Sequence, residues 1–163
     1  MIRINTSSRV ASINISGGGI PKRPIPAVLI REGGLEGDGH NHAKHYRPAQ
    51  AVSLQDIEML EELTREGFPL TAGMTGENID LNNVNVNRLP IGARLIFEGG
   101  VEIEITRKRP PCYVLDVIDP RLKKTIVGRC GVYAKVIRPG ALENGAGVTV
   151  ELPVSHECLV EKV

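Results

Sequence analysis

The stretch Ala93–Arg107, "ARLIFEGGVEIEITR", decides the fold class of this chain. Glu98, Gly99 and Gly100 supply turn chemistry between two apolar runs. After the turn, Val101, Ile103 and Ile105 alternate with Glu102 and Glu104. A period of two with acidic residues on one side predicts a hairpin with one buried and one wet face.

The same grammar recurs on both sides of the hairpin. Upstream, "RVASINIS" (Arg9–Ser16) reads as a strand with Ile13 and Ile15 on one face, and "AVLIR" (Ala27–Arg31) has strand length. Between them, "GGGIPKRPIP" holds three glycines and three prolines, which exclude regular structure and predict a shaped loop. Downstream, "VYAKVIRPG" and "GVTVEL" read as two strands joined by a loop around "GALENGAG". "TAGMTGENIDLNNVNVNRLPIG" reads as loop with short β pieces, and "PPCYVLDVIDPRLKKTIVGRCG" as a short helix or irregular turn. One clear helix is predicted in "SLQDIEMLEELTREGFP", with Ser53 as cap, Asp56 as capping-box acid and a stripe of Leu54, Ile57, Leu60 and Leu63. Gly67 and Pro69 end it. Many short strands, little helix and frequent Gly/Pro turns predict a mainly β fold, a β-barrel with one or two attached helices.

Bulk properties narrow the function. The 163 residues suffice for one domain, read as 1–163 with a core of about 9–152 and a tail of 153–163. Twenty basic and 19 acidic residues leave a net charge of +1, which argues against general binding to nucleic acid or anionic membrane. The absence of Trp, with two Phe and three Tyr, argues against a stacking platform for single strands. Cys112, Cys130 and Cys158 form no paired spacing, so neither a disulfide framework nor a four-cysteine zinc site is expected. The opening residues contain no apolar signal region, and the expected setting is cytoplasmic with reduced thiols.

Four short stretches carry candidate chemistry. "DGHNHAKHY" places Asp38 ahead of His40, His42 and His45, residue types that suit a transition metal, although the spacing is not a signature. Backbone-bonded or solvated imidazoles are the plainer reading. "PKRP" puts Lys22 and Arg23 after a glycine run that suits phosphate, against the plainer reading of an exposed basic turn. "TGENIDL" sets Glu77 beside Asn78, either a structural turn or a pair for a polar ring. In "RKRPPCYVL", Cys112 follows Arg107, Lys108 and Arg109, and nearby cations favour a thiolate. Arg107 and Arg109 share a parity and are expected to face one pocket. The competing reading makes Cys112 a small buried hydrophobe, a description that fits Cys130 and Cys158 better.

In this order, "GGGIPKRP", "GLEGDGHNH", "AVSLQ", "GENIDL", "LPIGARL", "EITRKRPPC" and "GVYAKVIRPG" resemble the MOSC domain family, named for the C-terminal part of molybdenum cofactor sulfurases. The resemblance runs from about Val10 to Leu152. It implies a barrel of the type inserted in pyruvate kinase, a molybdopterin-type cofactor and sulfur handling at a cysteine. By that resemblance Cys112 is the carrier of sulfane sulfur or the ligand to molybdenum. Lys22, Asp38, His40, Glu77, Asn78 and Arg107 match the family's lysine, "GD-x-H", "GEN" and basic positions, and Arg23, Arg47 and Arg109 complete the expected anion-binding set.

Two departures stand out. "HNHAKHYRPAQ" replaces a glycine-rich acidic stretch with bulkier and basic groups, and "NGAGVTVEL" lacks the usual aspartate before the final strand. The implied role is cofactor sulfuration or molybdoenzyme-type reduction, as a sulfur transferase or an oxidoreductase. A sulfur donor or electron-transfer protein would then be the partner, and a homodimer through exposed strands stays open. The rival expectations are a non-catalytic delivery module and a metalloenzyme built on His40, His42 and His45.

Overall fold

The computed structural model describes residues 2–39 and 47–154, the side chains of Asn5 and Thr6 excepted. In chain order the strands are β1 (Ile2–Ile15), β2 (Arg23–Ile25), β3 (Ala27–Arg31), β4 (Gly34–Leu35), β5 (Val52–Asp56) and β6 (Ile79–Leu81). They continue with β7 (Arg94–Phe97), β8 (Glu102–Lys108), β9 (Val132–Arg138), β10 (Gly140–Glu143) and β11 (Gly147–Leu152). Helix α1 (Ile57–Arg65) follows β5, and α2 (Leu122–Thr125) follows a single-turn 3-10 segment at Tyr113–Val117.

The predicted hairpin is β7 and β8, with Leu95 opposite Ile103. Leu95, Phe97, Ile103 and Ile105 are buried. On the wet face Arg94 Nε reaches Glu104 at 3.0 Å and Lys135 Nζ reaches it at 3.6 Å. Exposed pairs of this kind are worth at most about 1 kcal/mol, so the hairpin is held by its buried face.

From this hairpin the sheet extends both ways and closes. Neighbouring strands run β1, β11, β7, β8, β9, β5 and β6, and β6 returns to β1. All pairings are antiparallel except β5 with β6. The result is the expected mainly β architecture, a closed seven-stranded mixed barrel. Strand β2 folds back on β1 outside the ring. A second antiparallel sheet, β10–β3–β4, adds Val28, Ile30, Leu35 and Leu142 to the barrel core. The strand β10 lies in "GALENGAG", where a plain loop was expected; Ala141 and Leu142 pair with Leu29 and Val28.

The start of the helix differs from expectation. Val52–Asp56 is a strand with all five residues buried. Leu54 faces Ile79 on one side and Val132 on the other, so it is a barrel residue rather than the first residue of a helical stripe. Asp56, not Ser53, caps α1, accepting from Met59 N at 2.8 Å. Its second oxygen accepts from Val86 N at 3.0 Å. Leu60 and Leu63 of α1 then pack with Phe68, Leu70, Leu115, Leu122, Ile126 and Cys130 in a second cluster beside the barrel. Burial of each such leucine is worth about 1.5–3 kcal/mol. Among the described residues, no helix is long and apolar enough to cross a membrane.

Candidate functional site

Four segments that lie far apart in sequence meet at a cavity of about 510 Å³. They are the glycine loop after β1, Asp38 and Gly39 after β4, the Arg47–Ser53 approach to β5, and the Gly76–Asn78 turn before β6. Arg109 and Cys112, just past β8, and Tyr133 of β9 complete the wall. Ligand pockets commonly span 300–1,000 Å³, so the space suits a small organic or inorganic anion or a cofactor fragment.

One wall is an ion pair with its supports. Lys22 Nζ lies 2.6 Å from Asp38 Oδ2, with 16% and 4% of the two side chains exposed. Asn78 Nδ2 donates to the same oxygen at 2.9 Å, and Ser16 N donates to Oδ1 at 3.0 Å. Asn78 is fixed in turn by β5: its N–H meets Ser53 O at 2.9 Å, and its Oδ1 accepts from Ser53 N at 3.2 Å. Lys22 therefore arrives at the cavity already neutralised, unlike the free cation expected beside the glycine run. Gly73 closes the loop carrying Lys22. It has φ +83°, and a Cβ there would lie 2.2 Å from Lys22 O.

Another part of the lining is a cation that no carboxylate bonds. Arg109 is anchored by its N–H to Gly131 O at 3.0 Å and by Nη2 to Thr75 O. Its Nη1 is buried without a partner. Burial opposes the guanidinium charge, while Cys130, Tyr133 and Glu77 around it favour the charged form. A buried guanidinium hydrogen without an acceptor is costly. Gly76, at φ +94°, makes room: a Cβ there would lie 3.1 Å from Arg109 Nη2.

The two thiols differ sharply. Cys112 is exposed at the cavity wall, immediately before the Tyr113–Val117 turn, which rules out the buried-hydrophobe reading for it. Cys130 is 2% exposed, and burial pushes its thiol up while Arg109 pulls the other way. Cys130 fits the buried reading; Cys158 lies outside the described residues.

Beneath the cavity runs a second polar layer. Glu77 is fully buried, accepting from Gly73 N at 2.6 Å and from Thr75 Oγ1. Asp80 accepts from Asn14 Nδ2 at 2.8 Å, and its other oxygen has no donor. Burial, then the neighbouring Glu77 charge, pushes the Asp80 carboxyl up to about 9, so it carries a proton at neutral pH.

Of the expected site residues, Lys22, Asp38, Arg47, Asn78, Arg109 and Cys112 share the cavity. Three are placed elsewhere. Arg23 is exposed at the start of β2. Glu77 turns away from its neighbour Asn78 into the lower layer, because Gly73 N and Thr75 Oγ1 hold its carboxylate there. Arg107 is exposed on β8, outside the lining; β8 ends at Lys108, so the parity with Arg109 does not carry across. His40, His42 and His45 lie outside the described residues. Among the described residues, no group of three His, Cys, Asp or Glu side chains is arranged to hold a metal. Ser16, Gln50 and Tyr133 line the cavity without having been singled out, and Ser53, read as a helix cap, lines it too. Ser53 and Tyr133 sit on strands whose inward faces were legible only once their partners were known.

The fold finds counterparts among known proteins. The MOSC domain model matches residues 38–149, and the chain belongs to the MOSC domain family. The YuaD protein of Bacillus subtilis superposes with a TM-score of 0.79 at 20% identity, over 94% of this chain and 99% of that one. YiiM of Geobacillus stearothermophilus gives 0.72 at 26% identity, over 88% and 75%. YiiM of Escherichia coli gives 0.67 at 23% identity, over 93% and 72%. No curated protein matches the chain. Membership places the chain among domains associated with the molybdenum cofactor and sulfur binding.

Proposed function

We propose that the cavity binds a molybdopterin-type cofactor or a related anionic sulfur compound, with Cys112 as sulfur carrier or metal ligand. One observation carries this reading: the guanidinium of Arg109, which no carboxylate bonds, shares a cavity with the exposed thiol of Cys112. Arg109 and the exposed Arg47 hold the anionic end. The Gln50 carboxamide offers a donor and an acceptor to a polar ring, while Asn78, its amide spent on Asp38, Asn14 and Ser53, holds the wall in place. The Lys22–Asp38 pair supplies shape and fixed dipoles rather than net charge. When bound, a molybdopterin group supplies metal-centred redox and sulfur-ligand chemistry. This chain's own part is to bind, orient and present the thiol.

The test uses protein purified from a host that makes the cofactor. Elemental analysis with fluorescence of released pterin should show molybdenum and pterin together, and Cys112→Ser should lower their retention or abolish sulfur transfer. Unchanged retention and unchanged transfer in that variant would reject the role of Cys112. Zinc, iron or nickel without pterin would point instead to the histidine stretch.

A further inference from the structure

We propose that Cys112 is loaded with sulfur by thiosulfate, whose sulfonate end is seated on Arg109. The inference rests on the reading of Cys112 as a sulfur carrier and names the donor class for that site.

The chemistry asks for two things close together: an accessible thiolate and an oxyanion seat for the leaving group. Cys112 is exposed in the cavity wall, three residues beyond Arg109. The buried thiol of Cys130 lies within electrostatic range of both, so the two groups share one neighbourhood. Among the described residues, no carboxylate bonds Arg109, and its side chain lines the cavity. Lys22 cannot take this part, because Asp38 already neutralises it at 2.6 Å. The carboxylate Arg109 feels, Glu77, lies in the buried layer and is not bonded to it, so the cavity's positive end is on the Cys112 side.

The Cys112 thiolate attacks the outer, sulfane sulfur of thiosulfate. A sulfur–sulfur bond forms to Cys112 as the sulfur–sulfur bond within thiosulfate breaks. The bonding pair leaves with the sulfonate group as sulfite. Thiolate plus thiosulfate dianion gives cysteine persulfide anion plus sulfite dianion, so atoms and charge balance without an outside oxidant. Negative charge gathers on the departing sulfite, where a preorganised guanidinium stabilises it most. A donor lacking an oxyanion gains nothing from Arg109.

The experiment uses the full chain carrying Cys130→Ser and Cys158→Ser, so that Cys112 is the sole thiol. It is incubated with thiosulfate or with 2-hydroxyethyl persulfide, a donor without an oxyanion. Intact mass reads the gain of one sulfur atom, and cyanide then releases that atom as thiocyanate. Both donors should load Cys112. Arg109→Gln should slow loading from thiosulfate by about tenfold to a hundredfold, the scale of losing one oxyanion donor, and slow loading from the persulfide far less. Arg109→Lys, which keeps the charge, should recover part of the thiosulfate rate. Loading from the persulfide but not from thiosulfate would overturn this inference and leave the carrier reading intact. Loading from neither donor would overturn both. An equal slowing of both donors by Arg109→Gln would reduce Arg109 to a structural role and reject the oxyanion seat.

Discussion

Asp38 Oδ2 receives Lys22 Nζ at 2.6 Å in a setting where both side chains are largely withdrawn from water. The pair ties the glycine loop after β1 to the turn after β4, and Asn78 ties both to β6. Its two halves are not equivalent. Without Lys22, Asp38 keeps donors from Ser16 N and Asn78 Nδ2. Without the Asp38 charge, Lys22 is left as a largely buried cation. Asp38→Asn should therefore cost about 3 kcal/mol in urea unfolding, the scale of breaking a buried pair, and Lys22→Met distinctly less. Equal losses would contradict this asymmetry.

Asp80 sets a pH dependence with a definite sign. Its carboxyl stands at about 9 in the folded chain against an ordinary 3.8. Between those values the folded state holds a proton that the unfolded state has lost. The group's contribution is full below the ordinary value and disappears as pH rises toward the folded one, at up to about 1.4 kcal/mol per pH unit. Asp80→Asn keeps an acceptor for Asn14 and offers Glu77 an N–H. The variant should be more stable than the parent at neutral pH, and its thermal midpoint should fall less between about pH 5 and about pH 8.

Asp56 caps α1 and also holds Val86 N–H, whereas Ser53 serves Asn78. Asp56→Ala should destabilise the chain by about 2 kcal/mol, the upper end for a cap, because a buried N–H is orphaned as well. Ser53→Ala should leave hydrogen-exchange protection of α1 unchanged and loosen the Asn78 amide. Loss of α1 protection in Ser53→Ala would return the cap to Ser53.

Native-state alkylation separates the thiols. In a Cys158→Ser background, Cys112 should react at once, while Cys130 should react only on unfolding, being buried with its thiol pushed up. Peptide mapping by mass spectrometry reads both sites. Fast labelling of Cys130 in the folded chain would contradict its place in the second cluster.

These tests fall where local pattern and tertiary context part company. The β7–β8 hairpin was legible because its evidence is local: a Gly-Gly turn and alternation within fifteen residues. The family's ordered motifs likewise marked Asp38, Asn78 and Cys112. Leu54 misled because a three-residue spacing to Ile57 looks helical, while its true partners, Ile79 and Val132, lie far along the chain. Lys22 was legible as a cation but not as a neutralised one, since the carboxylate that meets it comes 16 residues later. Adjacent Glu77 and Asn78 read as one unit, yet the turn before β6 sends them to different layers. Arg109 shows the converse: its residue type was visible, but its missing partner appears only in three dimensions.

The closure of the barrel by β1 and β11 has a consequence for biosynthesis. Ile2 pairs with Leu152 and Arg9 with Gly147, so β1 waits for β11, which is made long after it. A ring sealed by contacts of such long sequence separation belongs to the slow end of the folding-rate range. Until β11 leaves the ribosome, β1 presents an unpaired edge carrying Ile2 and Ile4, both still exposed after folding. An open edge of this kind invites pairing with another nascent chain. Synthesis therefore exposes the molecule to aggregation through β1, and Arg3 and Arg9 are charges that interrupt that edge meanwhile; Arg3 meets Glu151 at 2.7 Å in the finished barrel.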